Sequence, residues 1–454
     1  MSDRRRRLVH VFALLATLPF AGRALAHGGS LGGSAGRSLD VPTWLFLATG
    51  GGVVGVSFLL SSFATDRAFL DHVHARRRTV TLPARGALVA AARALALVVV
   101  VGVVAVGLLG PRAPLRNAAV LVVWAGWWAG LAMVAYLVGN PWDTLNPWRT
   151  LTRVLPSFDT SLPVDGAWLS TVGLLALVWL EVVSPLADDP RLLAVVVVGY
   201  TLVALGGAVA LGEQYFETAD PVSRVFRYYG AVAPVERGAD GLRLRLPGSG
   251  LEADVLDGPG DVAFVVALLW GTTFDGLVGT PPWADFARVV VGAGVPATVL
   301  YPAALLGGFG VFYGAYRLAV RYGVQLAETR LDEATLARRF APSLLAIAAG
   351  YHLAHYLGYF LALSPALLGA LVDPLSPGPA YTLVLPGWFG GLSLAAVLLG
   401  HVLAVWVAHT VAYDLFPSRL QAVRSQYALT LVMVFYTMTS LWIVSRPYAA
   451  PPFL

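Results

Sequence analysis

The chain has 454 residues, 57% of them hydrophobic and only 13% charged, whereas a soluble protein of this size needs roughly 25% charged residues to cover its surface. It has no cysteine, which excludes disulfides, iron–sulfur clusters and thiolate zinc sites. The formal charge of +5 gives no support to a nucleic-acid partner, because residues 1–26 hold most of the excess and the rest carries about +1.

The N-terminus has the layout of a secretory signal. Arg4 to Arg7 form the basic region, Leu8 to Phe20 the apolar stretch, and Ala24-Leu25-Ala26 an A-x-A cleavage site. Cleavage there leaves 27–454 as the mature membrane domain and makes His27 its first residue, outside the cytoplasm. Ten apolar runs follow, each long enough to cross ~30 Å of hydrocarbon in a lipid bilayer: near 43–63, 87–110, 117–139, 166–186, 191–211, 261–281, 295–318, 340–364, 387–411 and 425–445. The arginines supply an independent check. With the mature N-terminus outside, the arginine-rich loops, from Arg67 to Arg424, are cytoplasmic. The opposite loops hold only Arg37, Arg112, Arg116, Arg191, Arg288 and Arg446, the asymmetry the positive-inside rule demands. The expected architecture is an all-α integral membrane bundle of about ten transmembrane helices in the cell membrane, with both termini outside. One small cytoplasmic insertion, about 212–260, interrupts it, and alternation around Arg243 to Leu246 between Gly and Pro suggests a hairpin there.

Ionisable side chains inside a bilayer are expensive and mark functional sites. The sixth run carries Thr272-Thr273-Phe274-Asp275-Gly276, the eighth Tyr351-His352-Leu353-Ala354-His355-Tyr356, and the ninth His401 with His409 eight residues on. At ~1.5 Å per residue, Asp275, His352, His355 and His401 each lie roughly 18–22 Å along their helices, near mid-membrane, with His409 deeper. His352 and His355, at i and i+3, share a helix face. With His401 and Asp275 they would form an N3O site for a divalent transition metal: zinc, iron or copper. A metal-bound water of lowered pKa would be the nucleophile, with Asp275 as ligand or general base and Thr272 or Thr273 as its hydrogen-bonding partner. Three readings compete with this one. The histidines can be packing glue between helices. They can be a metal or proton relay in a transporter. His352 or His355 facing His401 can also ligate a b-type haem. His27, as a mature N-terminus, offers amine and imidazole together to copper. Asn146-Pro147-Trp148-Arg149 is expected to be a structured interfacial turn, Glu181 to pair with an Arg or line a substrate path, and Arg424-Ser425-Gln426-Tyr427 to anchor the tenth run.

The order of these marks resembles a family. An exported start ending in Ala-His-Gly is followed by Asn146-Pro147-Trp148-Arg149, Thr273-Phe274-Asp275-Gly276, Ala354-His355-Tyr356, Gly400-His401 with His409, and Arg424-Ser425-Gln426-Tyr427. Together they resemble the fenitrothion hydrolase-like membrane proteins over essentially the whole mature chain. The resemblance implies hydrolysis of a phosphotriester or thiophosphate aryl ester, an apolar small-molecule substrate, by attack of water at phosphorus.

Overall fold

The computed structural model describes residues 43–63, 78–80, 85–158, 160, 165–238 and 241–453. The export signal, His27, His72 and His74 lie outside the described residues. All ten apolar runs are helical: α1 (Thr43–Phe63), α2 (Arg85–Leu109), α3 (Ala118–Leu137), α4 (Gly166–Val183), α5 (Pro190–Leu211), then, beyond an inserted helix α6 (Pro221–Val232), α7 (Pro259–Val278), and, after a short α8 (Pro281–Gly292), α9 (Ala297–Leu326). A short α10 (Glu333–Phe340) leads into α11 (Ser343–Val372), followed by α12 (Phe389–Leu415), a short α13 (Arg419–Ser425) and α14 (Tyr427–Val444). Among the described residues nine helices are long and apolar enough to cross a membrane; α1, a helix of 21 residues, is not among these nine and contributes the shorter apolar stretch Gly50–Ser61. The protein is an all-α, multi-pass membrane bundle.

Local sequence sets the starts of these helices. Asn117, Asp165, Asp189, Asp220, Thr280 and Asp332 each accept backbone N–H bonds at the first turn of α3, α4, α5, α6, α8 and α10. Proline occupies the first turn of α5, α6, α7 and α8, where its missing N–H costs nothing. The bundle is layered around α7. Of its 20 residues only Pro259 and Leu277 escape burial, as expected of a helix apolar on every side. α4, α9 and α11 pack around it. At the periphery, α2 leaves Leu95, Val98, Val101 and Leu109 more than 60% exposed, a face suited to lipid. Within α3, residues Val122–Leu131 wind as a π-helix, a widening that often accompanies functional sites; it carries Trp124, Trp127 and Trp128.

The tightest helix crossing joins α11 and α12. A Cβ on Gly350 would lie 2.7 Å from the Ala396 carbonyl and 2.8 Å from the Gly400 Cα, and one on Gly400 would lie 2.6 Å from the Ala346 carbonyl. Small residues let the two backbones touch, the usual basis of close helix association in membranes.

The stretch 212–260 differs from a simple extramembrane loop. The expected hairpin forms, with β2 (Val235–Arg237) antiparallel to β3 (Leu242–Leu244), Val235 opposite Leu244. A third strand, β1 (Arg78–Val80), joins on the other side of β3. α6, however, is buried: Phe226, Tyr228 and Tyr229 are 0% exposed, and the helix packs on α3, α4 and α11. Its amphipathic pattern, Val225 and Phe226 beside Arg224 and Arg227, explains the difference. The arginine that makes it look soluble is neutralised inside: Arg224 forms a buried ion pair with Asp261, donates to the Thr218 carbonyl at 2.7 Å, and shares Asp261 with the Tyr228 hydroxyl, which donates at 2.6 Å.

Gly350→Val will lower the thermal midpoint and the monodisperse yield of detergent-purified protein, overpacking of this kind costing about 1–3 kcal/mol. Gly310→Val, where a Cβ would meet nothing within 4 Å, will leave both unchanged. In the insertion, burial raises the Glu252 carboxyl to about 7. The folded state therefore prefers Glu252 neutral, so its contribution is fully present below the ordinary carboxyl range and is lost as pH rises toward 7. Glu252→Gln will stabilise the protein on the order of 1 kcal/mol above pH ~7 and have no effect near pH ~4, read as the difference between the two melting profiles.

Candidate functional site

The polar groups of α7 and α11 meet at one place. Asp275 sits in the last turn of α7, nearer that end of the helix than the mid-membrane depth expected from counting residues. Its Oδ2 accepts a hydrogen bond from the Tyr356 hydroxyl at 2.9 Å and lies 3.4 Å from His355 Nε2. The adjoining Gly276 makes room for this arrangement, since a Cβ there would collide with the Tyr351 hydroxyl oxygen. Tyr351 in turn stacks parallel to His355 one turn on, with ring centroids 6.2 Å apart. His355 is the open member of the cluster. Its side chain is 37% exposed, whereas His352, His401 and His409 are each 0% exposed.

The four expected metal ligands are not gathered. Among the described residues no group of three or more His, Asp or Glu side chains is placed to hold a metal ion. His352 and His355 share α11, but their rings leave it toward different neighbours. His352 turns into an aromatic nest of Trp128, Tyr136 and Tyr229, each with its ring centroid 5.7 Å away, and its Nδ1 lies 3.0 Å from the Tyr136 hydroxyl. His401 turns back along α12, its Nδ1 bonded to the Val397 carbonyl at 2.8 Å. His409 packs on Tyr413 at 4.6 Å. Of the N3O set, only the His355–Asp275 contact is realised.

Thr273, expected beside the carboxylate as a catalytic partner, instead donates to the Leu269 carbonyl one turn back at 2.8 Å and is 1% exposed. Thr272 also bonds its own helix, donating to Leu269 at 3.0 Å. These back-bonds satisfy hydroxyls that have no water to turn to.

Two chambers adjoin the cluster, and neither is visible in the sequence. The smaller, about 10 Å³ and so about the size of one water, is lined by Asp275, Tyr356, Thr272, Glu181 and Trp128 together with Leu174, Val178, Ala267, Leu268 and Gly271. The larger, about 330 Å³, is walled by α2, α3, α4, α5, α6 and the segment after α3. Its lining is chiefly Leu, Val and aromatic side chains, with Glu181 its one acid. Glu181, Trp128, Leu174 and Val178 line both chambers. Glu181 has no hydrogen bond or ion pair among the described residues, so the expected Arg partner is not there. A lone acid in an apolar run is the available signal; its chamber depends on five helices that no local pattern relates.

The remaining marks are structural. Asn146 caps the turn Pro147–Leu151 through the Arg149 N–H at 3.0 Å and donates to the Ser223 hydroxyl at 3.0 Å. Trp148 donates to the Thr201 hydroxyl at 2.9 Å. Gln426 bonds the Ala422 carbonyl at 2.7 Å, and Arg424 pairs with Glu328 at 3.4 Å. Both motifs fasten helix ends, as a structured turn and an anchor should.

No protein family, curated protein or solved structure matches the chain. What fold and site define is a class: a multi-pass helical membrane protein with a buried carboxylate, an accessible histidine and an apolar chamber beside them.

Selective chemistry checks this geometry. Diethyl pyrocarbonate on detergent-purified protein, mapped by peptide mass, will modify His355 and spare His352, His401 and His409. Modification of His352 before His355 would refute the placement.

Proposed function

We propose that the protein is a membrane-embedded hydrolase of apolar esters, with His355 as general base and Asp275 as the group that orients it. The observation that carries this reading is the Asp275–His355 contact, in which the carboxylate is anchored by Tyr356 while the imidazole edge stays accessible. With the ring proton on Nε2, which lies 3.4 Å from the Asp275 Oδ2, the Nδ1 lone pair is left to take a proton from water. That water attacks the ester carbon or phosphorus, and the imidazolium returns the proton to the departing alkoxide or phenolate. Tyr356 restricts the carboxylate to one orientation, and Asp275 offsets the positive charge that builds on the ring. Aryl esters of phosphorus, the substrate class implied by the resemblance to fenitrothion hydrolase-like proteins, suit this chemistry.

The export signal and arginine asymmetry support a cell-membrane location with both termini outside. Asp275, at the end of α7 remote from the 212–260 insertion, then belongs to the outer half of the bilayer. The C-terminal segment folds over this end, with the Ala449 N–H donating to the Gly279 carbonyl at 2.8 Å and the Tyr301 hydroxyl to the Pro452 carbonyl at 2.9 Å.

A second reading, a proton-coupled carrier, is favoured by one observation: the water-sized space between Glu181 and Asp275 gives protons a short path between two carboxyl groups.

Turnover of a p-nitrophenyl aryl phosphotriester by purified protein decides between them. His355→Ala and Asp275→Asn will each lower kcat by about 10²–10⁴, His401→Ala will not, and chelator treatment will leave the wild-type rate unchanged. Full activity in His355→Ala would overturn the hydrolase reading. No cleavage by wild type, together with substrate-driven acidification of proteoliposomes, would put the carrier in its place.

A further inference from the structure

We infer that the large chamber is a binding site for a hydrophobic organic cation, with Glu181 as its counter-charge. This inference is independent of the hydrolase reading. At about 330 Å³ the chamber falls in the size range of small-molecule sites, which are apolar cavities with a few placed polar groups. Here Glu181 is the one acidic side chain of the lining. The tryptophans of the π-helical part of α3, with Trp142 and Trp148, make the lining unusually aromatic.

The charge balance chooses the ligand. A carboxyl group in an apolar wall is stable as an anion only with a partner, and among the described residues Glu181 has neither hydrogen bond nor ion pair. Arg149, a candidate source of that charge, pairs with Asp143 and Glu213 instead. A neutral hydrocarbon guest would fill the space and leave Glu181 as it is. An anion would be repelled, the more so because Asp275 lines the adjoining small chamber. A compact cation with an apolar body satisfies both features: its charge meets the carboxylate, and indole rings favour cations at their faces, most strongly when water is excluded. Since Glu181 lines both chambers, the cation would sit one water-sized space from Asp275.

The test uses an isosteric pair, benzyltrimethylammonium and its neutral carbon analogue neopentylbenzene, titrated into detergent-purified full-length protein. Binding is followed by the fluorescence of the chamber tryptophans and by calorimetry. The wild type will bind the cation at least about tenfold more tightly than the analogue. Glu181→Gln will abolish that preference while keeping the affinity for neopentylbenzene, which shows that the chamber is intact. Glu181→Asp will restore part of the preference. Equal binding of the two probes by the wild type, or a cation preference unchanged in Glu181→Gln, would overturn the proposal. Should Glu181→Gln fail to fold, Leu174→Phe, which fills the chamber and leaves the carboxyl in place, must weaken both probes. Unchanged cation binding in that variant would overturn the proposal equally.

Discussion

The bilayer core offers no water, so every polar group inside it must find its partner within the protein. The rest of this structure depends on that constraint. It explains why Thr272, Thr273 and Thr437 turn their hydroxyls back onto their own helices, why Trp270 donates across to the Leu305 carbonyl, and why Arg224 is locked between Asp261 and a backbone carbonyl. The rule is not met everywhere, since the indole N–H groups of Trp124, Trp127 and Trp128 and the His401 Nε2 are buried without a hydrogen-bond partner; two further groups are the more open ones, His355 at one edge and Glu181 between two chambers. The same rule that makes those other polar residues structural makes these two chemically available.

Much of the fold is legible from the chain itself. Apolar length, helix-starting Asp and Pro residues and arginine placement define the spans, and the helices begin within a few residues of those runs. α9 and α11 continue about two turns past the C-terminal ends of theirs: Arg317 and Arg321 do not stop a helix whose backbone bonds are already made, and the extension of α11, from Pro365 to Val372, is itself apolar. α6 is not legible in this way. Arg224 and Arg227 make it read as a solvated segment, until Asp261 is seen to neutralise Arg224.

The site is legible in part. Asp275 and His355 stand out as ionisable groups in apolar helices, and the structure brings them together. Counting residues along separate helices gives similar depths to His352, His355 and His401, but depth says nothing about the direction in which a ring leaves its helix. His352 is claimed by the aromatic groups of α3 and α6, and His401 by the carbonyl of Val397. Those directions depend on which helices are neighbours, and a single chain's pattern does not encode that. The roles of Tyr356 and Tyr136 are hidden for a related reason: a tyrosine in an apolar helix looks like packing until the group accepting its hydroxyl is known.

The backbone contact between Gly350 and Gly400 has a mechanical consequence. Two helices that touch through main-chain atoms cannot slide past one another without losing the contact, so α11 and α12 behave as one rigid lever with its fulcrum at that crossing. His355 rides on this lever little more than one turn from the fulcrum, and Asp275 belongs to a different body, the enclosed α7. Tilting the lever would alter the spacing of base and carboxylate only slightly at His355, while displacing the far ends of both helices much more. The fold thus shelters its most reactive pair from motions that the ends of the bundle remain free to make.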